Sequence, residues 1–397
     1  MQMADTTPIY LDYAASAPLD PHVAAMMGEC LADPALQANP SSTHAPGRRA
    51  AARIAAARAQ VAALIGAPPE SIVFTSGATE SVNLAIQGAA RAARRGARHI
   101  VTTHIEHRAG RDSCHQLERE GFEVTWLRPD RDGIIAPQQV AEAVRPDTAL
   151  VSLMHANNET GVLTDVDTIA ALCLERDLIL HVDAVQSAGK IPIDVTASGV
   201  ALLSFCAHKL GGPKGVGALY IRRRPRPALQ TQQFGGGQES GLRSGTLATH
   251  QLIGFGAACA LARAALATEP ARIRDLRERL WQALQAAAPL WRNGTPDPSV
   301  SGILNVGFAG LEGESLLLEL DGRVAVASGA ACHSAAAEPS AVLRALGRSD
   351  LAIQASLRLS LGRGTTAAEI DRAATFLVAA VHRLRAALPA GALERIA

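Results

Sequence analysis

The sequence lacks several patterns, and each absence excludes a class of protein. No window holds the roughly 18 consecutive apolar residues that a membrane helix requires, so no membrane partner is expected. The six cysteines include no Cys-x-x-Cys pair, and their spacing indicates neither a zinc site nor a disulfide framework. Basic side chains number 38 and acidic ones 37, without a basic block long enough to indicate nucleic-acid binding. The first residues, MQMAD, do not resemble a secretory signal, and we expect a cytoplasmic protein with reduced cysteines.

Short β-rich runs alternate with alanine-rich helical stretches between about residues 50 and 260. The apolar runs lie at residues 71–74, 99–102, 122–126, 149–153 and 178–182. Near-continuous apolar strands separated by helices are typical of an α/β fold with a mostly parallel sheet covered on both faces. The runs at 202–205 and 217–221 have little helix between them and are candidates for antiparallel strands.

The pattern of predicted strands and helices changes in the last third of the chain. One long amphipathic helix is predicted from about residue 256 to 292, ended by Gly294. Apolar runs follow at 303–306 and 357–360, and a final helix is predicted from about Thr366 to Ala387. Because 397 residues exceed one ordinary core, we expect two domains. Residues 18–260 would form a large α/β domain, and residues 1–17 and 261–397 a smaller α+β domain.

A glycine turn at residues 74–80, FTSGATE, separates a predicted strand from a predicted helix. The start of a helix offers free N–H groups and the positive end of the helix dipole, so this turn can cradle a phosphate. Turns of this kind also occur throughout α/β proteins without binding anything, and the motif alone leaves both interpretations open.

Two ionisable residues follow predicted strands. Asp183 directly follows the run at 178–182, at the carboxyl end of the strand, where open α/β sheets bind their ligands. It could pair with a protonated pyridine nitrogen or cap the next turn. Lys209 follows the run at 202–205 and precedes a glycine-rich turn, which suits a buried Schiff-base amine, although a single lysine in a loop is usually solvated. The order of phosphate cradle, acid and lysine favours a cofactor site.

With these motifs the chain resembles the NifS/IscS-type cysteine desulfurases, fold-type I pyridoxal 5′-phosphate (PLP) enzymes of the class V aminotransferase superfamily. The resemblance covers nearly the whole chain, through YLDYAA (10–15), NPSS (39–42), TSGATE (75–80), MHANNE (154–159), GGGQE (235–239), RSGT (243–246), SGAAC (328–332) and EPSAVLRALG (338–347). It implies a large domain with a mostly parallel seven-stranded sheet between helices, a smaller α+β domain that carries the catalytic cysteine, and a homodimer.

The resemblance also implies roles for individual residues. Lys209 would carry PLP, and Cys332 and His107 would be the other catalytic residues. The residues implied to contact the cofactor ring are His107, which stacks on it, Asp183 at the pyridine nitrogen, and Asn158 and Gln186 at the phenolic oxygen. Those implied to hold the phosphate are Ala78, Thr79, Cys206 at a position usually occupied by serine, His208 and, from the neighbouring subunit, Thr246. Arg358 would clamp the substrate carboxylate beside Asn158. No metal is implied.

Cys332 determines the reaction that the resemblance implies. As a thiolate it would attack the sulfur of L-cysteine held on PLP, which yields L-alanine and a persulfide on Cys332. The sulfur would then pass to an acceptor protein, either an iron–sulfur scaffold or a thiolation protein. A Cys332–His333 metal pair and a buried structural cysteine are the alternatives for this position.

Two other functions stay open at this point. A selenocysteine lyase-like or other β-eliminating PLP enzyme would share the fold without needing Cys332, so full activity of a Cys332→Ser variant would favour it. A sulfur-relay or scaffold subunit would have lost its own catalysis and would bind no cofactor. The presence of Lys209, Asp183, His107 and Arg358 together favours an enzyme.

Overall fold

The computed structural model describes residues 7–94, 96–328 and 339–388. The strands are β1 (Ile9–Tyr10), β2 (Ile72–Thr75), β3 (His99–Thr103), β4 (Glu123–Leu127), β5 (Thr148–Met154), β6 (Ile179–Asp183), β7 (Leu202–Cys206), β8 (Gly217–Ile221), β9 (Leu290–Arg292), β10 (Ile303–Phe308), β11 (Val324–Ala325), β12 (Ala327–Ser328) and β13 (Ser356–Ser360). The helices are α1 (Pro21–Ala32), α2 (Ala45–Leu64), α3 (Ala78–Ala92), α4 (Arg108–Arg119), α5 (Pro137–Ala143), α6 (Val166–Glu175), α7 (Val195–Ser198), α8 (Thr249–Ala265), α9 (Glu269–Leu284), α10 (Gly313–Leu320), α11 (Ala341–Ala345), α12 (Asp350–Gln354) and α13 (Ala367–Ala386).

A seven-stranded sheet in the order β2-β8-β7-β6-β5-β3-β4 forms the centre of the fold. The pairs from β4 to β7 are parallel, and β8 is antiparallel to both of its neighbours. The mostly parallel seven-stranded sheet is therefore confirmed. The two candidates for antiparallel strands, β7 and β8, pair antiparallel with each other, and β7 is also parallel to β6. The connection from β7 to β8, residues 207–216, is too short for the crossover helix that a parallel pair needs.

The predicted single helix from 256 to 292 is wrong. The chain forms α8 and α9 instead, and β9 includes Trp291 and Arg292. Pro270 lies in the first turn of α9, where its missing N–H and fixed φ are compatible with a new helix but not with the interior of an old one. No single helix of the described residues has the length and apolarity to cross a membrane; α8 together with residues 269–287 would, but the pair is bent by 78°.

Two hydrophobic clusters hold most of the buried side chains. The larger one lies around the central sheet and includes α8, which packs on α1 and α2. The other joins Ile9 and Leu11, near the start of the chain, to the buried faces of α9, β10, β13 and α13. Its four-stranded antiparallel sheet has the order β12-β13-β10-β9. The domain boundaries at residues 17/18 and 260/261 stay a prediction.

The topology brings several strand ends to one edge of the central sheet. The strands β2, β5, β6 and β7 run in the same direction, so their carboxyl ends meet. Thr75, Met154, Asp183 and Cys206 are the last residues of these strands. Because ligands of open α/β sheets bind outside the carboxyl ends of the strands, this edge is where a site is expected.

Candidate active site

A cavity of about 670 Å³ lies at this edge of the sheet. It brings together most of the residues implied by the resemblance: Ala78, Thr79, His107, Asn158, Asp183, Gln186, Cys206, His208, Lys209 and Arg358. Thr246 does not line it, and Cys332 lies outside the described residues. Among the described residues, no group of three or more His, Cys, Asp or Glu side chains could hold a metal ion.

Lys209 lies in the floor of the cavity, one short turn after β7. Its Nζ donates to the carbonyl oxygens of Ala14 at 2.6 Å and Ala15 at 2.7 Å, and burial lowers the pKa of its ammonium group. A lowered pKa increases the fraction of neutral amine, which is the form that condenses with a carbonyl. The sequence motif at 10–15 thus has a specific role, because its backbone carbonyls bind the Lys209 amine. The sequence alone identified this amine but not its hydrogen-bond partners.

The start of α3 forms one wall of the cavity. Its N-cap, Gly77, has φ 156° and ψ −179°, a conformation that is open essentially to glycine alone, and a Cβ on the facing Gly217 would lie 2.7 Å from the carbonyl carbon of Gly77. No described side chain caps this helix, so the N–H groups of Ala78 and Thr79 face the cavity without a side-chain acceptor. Such an uncapped N-terminus is an anion site.

His107 and Asp183 both line the cavity and interact electrostatically with each other. His107 caps α4: its Nδ1 accepts the N–H of Ala109 at 3.1 Å, and burial lowers the pKa of the imidazole, so the ring is neutral at pH 7. Asp183 is buried, and its Oδ1 accepts the N–H of Val185 at 3.0 Å. Burial raises the pKa of Asp183, while the positive charge of Lys209 opposes this shift. A cation beside this carboxyl would favour its ionised form.

Cys206 and His208 lie beside the phosphate cradle. The Cys206 Sγ is 4.0 Å from the His208 Nε2. Burial raises the pKa of Cys206 to about 11 and lowers that of His208 to about 4, so both side chains are neutral at pH 7. Cys206 is therefore a thiol, a weaker hydrogen-bond donor than the hydroxyl of a serine.

Arg358 forms the opposite end of the cavity, on β13. Its Nη1 donates to the Asn158 carbonyl oxygen at 3.0 Å, and its Nη2 donates to Asp12 Oδ1 at 2.9 Å. Its Nε and the Oδ1 of Asn158 are buried without a hydrogen-bond partner in the described part of the chain. Two orphaned polar atoms at one end of a cavity indicate a polar ligand. Sequence reasoning missed Asp12; only its place in the motif at 10–15 could have drawn attention to it.

The described residues just before and just after positions 329–338 both lie near Arg358 and Asn158. On one side, Ala327 of β12 is paired with Arg358 itself. On the other side, the hydroxyl of Ser340 donates to the carboxylate of Glu159, the residue after Asn158. Cys332 is only a few positions after Ser328 in the sequence. One residue of a fully extended chain spans at most about 3.6 Å.

The chain is similar over nearly its full length to proteins of one family. The family model described as aminotransferase class-V matches residues 9–373. Cysteine desulfurase IscS of Shewanella sp. (strain ANA-3) is 51% identical over 383 residues, 96% of this chain and 95% of that protein. A solved NifS-like protein has a TM-score of 0.88 at 32% identity and covers 96% of this chain and 100% of its own. The structure of SspA in complex with cysteine has a TM-score of 0.78 at 36% identity, with 90% and 99% covered.

The residues of the cavity fit PLP, the cofactor of this family. The uncapped start of α3 suits its phosphate, and buried Asp183 suits a protonated pyridine nitrogen. The amine of Lys209, with its lowered pKa, suits the carbonyl of the cofactor. The match over residues 9–373 and the full-length relatives agree with this chemistry, and the chain therefore belongs to the class V aminotransferase family of PLP-dependent enzymes.

Proposed function

We propose that this chain is a PLP-dependent cysteine desulfurase, which converts L-cysteine to L-alanine and forms a persulfide on Cys332. One observation carries the proposal: a single cavity is lined by Lys209, buried Asp183, the uncapped start of α3 and Arg358, whose Nε is buried without a hydrogen-bond partner in the described part of the chain. The cysteine desulfurase named above is 51% identical, and a relative at 36% identity was solved with cysteine.

PLP, when bound, supplies a ring that accepts electrons from the substrate Cα. The Asp183 carboxylate would hold a proton on the pyridine nitrogen, and the neutral ring of His107 would offer a flat face to stack against. Nζ of Lys209, which the carbonyls of Ala14 and Ala15 orient, would remove and return the proton at Cα. Arg358 orients the substrate through its carboxylate, with Nε as the donor that has no protein partner.

The chemistry of the other cysteines supports Cys332 as the sulfur acceptor. The five described cysteines are buried, and burial raises the pKa of each thiol: Cys30, Cys114, Cys173, Cys206 and Cys259. Protonated, buried thiols are poor nucleophiles. The Cys332 thiolate would attack the substrate sulfur, forming the S–S bond while the C–S bond breaks, and the electron pair stays on the carbon that becomes the methyl group of alanine.

We further propose a homodimer in which Thr246 reaches the phosphate of the partner subunit. Thr246 does not line the cavity of its own chain, and Phe234, in the same connection between β8 and α8, is 82% exposed. Aromatic side chains are enriched at protein interfaces relative to the rest of the surface, which makes Phe234 a candidate contact. Sedimentation equilibrium of wild type and Phe234→Asp tests this: a dimer that weakens in the variant is expected, and a monomeric wild type would contradict it.

The persulfide would pass to an acceptor protein, an iron–sulfur scaffold or a thiolation protein, in the cytoplasm. The five unpaired thiols suit a reducing compartment. Mixing enzyme that carries labelled persulfide sulfur with either class of acceptor would separate the two: label on the scaffold alone, or on the thiolation protein alone, would identify the pathway.

The experiment that tests the reaction measures L-alanine and protein-bound persulfide after adding L-cysteine. Wild type should form both, Lys209→Ala neither, and Cys332→Ser no persulfide and little alanine. Cys30→Ser is the matched control, since it removes a buried thiol that does not line the cavity and should behave as wild type. Undiminished consumption of L-cysteine by Cys332→Ser, without a persulfide, would favour the selenocysteine lyase-like or β-eliminating alternative, and persulfide on another cysteine would contradict the role of Cys332.

A further inference from the structure

Lys190 is a partly buried lysine next to the same region, and the proposed reaction does not use it. Its Nζ donates to Gln186 Oε1 at 2.8 Å. The Nε2 of Gln186 in turn donates to the carbonyl oxygen of Ala14 at 2.9 Å. Gln186 is 2% exposed and lines the cavity, so its amide has a fixed environment on both sides.

The ammonium group of Lys190 is energetically costly where it lies. No Asp or Glu of the described residues forms an ion pair with it, and the nearby charge of Lys209 repels it. Burial, together with this repulsion, lowers the pKa of Lys190 to about 7. A partly buried cation without an acidic partner contributes little to the stability of a fold, and its defined contact is the hydrogen bond to Gln186.

The contact with Gln186 gives this lysine a specific effect. A primary amide has one accepting end and one donating end, and the two differ little in size and shape. In its protonated form Lys190 can only donate, which favours the observed orientation of Gln186, with its oxygen towards Lys190 and its nitrogen towards Ala14. The carbonyl of Ala14 is also the acceptor for Lys209 Nζ, at 2.6 Å. One backbone oxygen thus connects the Gln186 amide with the amine that carries the cofactor.

We propose that Lys190 is a positioning residue for the cofactor. It fixes the orientation of the Gln186 amide, so that one N–H of the amide nitrogen donates to Ala14 and the other can donate to the phenolic oxygen of PLP. The inference rests on the proposed function, because it needs PLP in this cavity. Without the donor at position 190, the amide can turn around and place its oxygen against the oxygen of Ala14 or of the cofactor, where both contacts are repulsive.

The test compares variants at position 190 in two backgrounds. Lys190→Met keeps the length and apolar stem but removes the donor, whereas Lys190→Arg keeps a donor that cannot accept. A cavity of about 240 Å³ beside Lys190 gives room for the guanidinium group. Each variant is made in wild type and in Gln186→Leu. The readouts are the dissociation constant of PLP from equilibrium dialysis and the visible circular dichroism of bound PLP, which reports the orientation of its ring.

Lys190→Met should weaken PLP binding about 2- to 10-fold, the effect of one net hydrogen bond, and should change the dichroism. Lys190→Arg should restore both. In the Gln186→Leu background, Lys190→Met should have no further effect, because the amide through which it acts is gone. An equal loss in both backgrounds would show that Lys190 acts on the fold in general, and would overturn the inference.

The two possible failures are distinguishable. If Gln186→Leu itself leaves PLP binding unchanged, the role of Gln186 in the proposed site is wrong. If Gln186→Leu weakens binding but Lys190→Met does not, only the inference about Lys190 is wrong. Should Lys190→Met fail to fold, Lys190→Gln replaces it: its amide can donate or accept, so a partial loss is expected, and binding as tight as in wild type would overturn the inference.

Discussion

Glu239 ties the connection between β8 and α8 to the strand that leads into the phosphate cradle. Its two carboxylate oxygens accept from Arg58 Nη2 at 2.6 Å and Nη1 at 2.7 Å, and one of them also accepts the N–H of Phe74 at 2.8 Å. Arg58 donates in addition to the carbonyl of Ile72 and lies over the Phe74 ring, 4.3 Å from its centre. We predict that Glu239→Ala strongly destabilises the protein.

The magnitude follows from burial. The side chains of Arg58 and Glu239 are 20% and 2% exposed. Removing one partner of a buried ion pair leaves the other charge unpaired and costs about 3–5 kcal/mol. Arg279 and Asp371 form the matched control, with the same bidentate geometry at 2.6 and 2.7 Å but 54% and 50% exposure. An exposed pair of this kind contributes about 0–1 kcal/mol, so Asp371→Ala should cost little.

The assay is urea unfolding of both variants at one protein concentration and with saturating PLP, since oligomer and ligand both shift apparent stability. Alanine keeps a Cβ at position 239, where φ is +49°, so the substitution leaves the backbone preference nearly unchanged. The free energy of unfolding should fall several times more for Glu239→Ala than for Asp371→Ala. Equal losses would show that burial does not determine the strength of these pairs, and would refute the reasoning.

Two further predictions concern residues that line the cavity, and a third concerns Glu106, the buried neighbour of His107. Arg358→Lys should raise KM for L-cysteine about 10-fold or more with a smaller effect on kcat, because one ammonium cannot replace the planar guanidinium; steady-state alanine release measures this, and an unchanged KM would contradict it. Cys206→Ser should tighten PLP binding by about 1 kcal/mol through a new hydroxyl donor, measured by equilibrium dialysis, with weaker binding as the contrary result. Burial raises the pKa of Glu106 from 4.5 to about 8, so the folded state holds its proton longer than the unfolded state, and this carboxyl costs stability as the pH rises through that window. Glu106→Gln should therefore gain stability relative to wild type between pH 5 and 8 in urea melts, and parallel pH profiles would show that Glu106 is ionised when buried.

The parts of the fold that depend on local patterns were predictable from the sequence. Apolar runs with flanking glycines locate each strand of the central sheet, because such runs need burial on both faces. The order of residues 74–80, Asp183 and Lys209 likewise locates one wall and the floor of the cavity. The break between α8 and α9 was missed, although Pro270 is a local signal for it, because the apolar periodicity continues across the bend.

The long-range partners were not predictable from local patterns. Asp12 contacts Arg358 across 346 positions of sequence, and Arg58 contacts Glu239 across 181. Lys190 lies only four residues from Gln186, but nothing in that spacing indicates that its amine donates to the Gln186 amide. Each of these contacts depends on how separate elements pack, so it becomes visible only when the chain is folded.

The cavity collects charges that the protein alone does not balance. Burial lowers the pKa of Lys209 and raises that of Asp183, so the charged form of each is disfavoured until a ligand of opposite charge binds. The phosphate of PLP would bind at the uncapped helix start and its pyridinium beside Asp183. A substrate carboxylate would accept a hydrogen bond from the Nε of Arg358, which has no partner in the described part of the chain. The groups that destabilise the free protein are thus the ones that select a ligand with an anion at each end and a cation between them, which is the charge pattern of PLP joined to an amino acid.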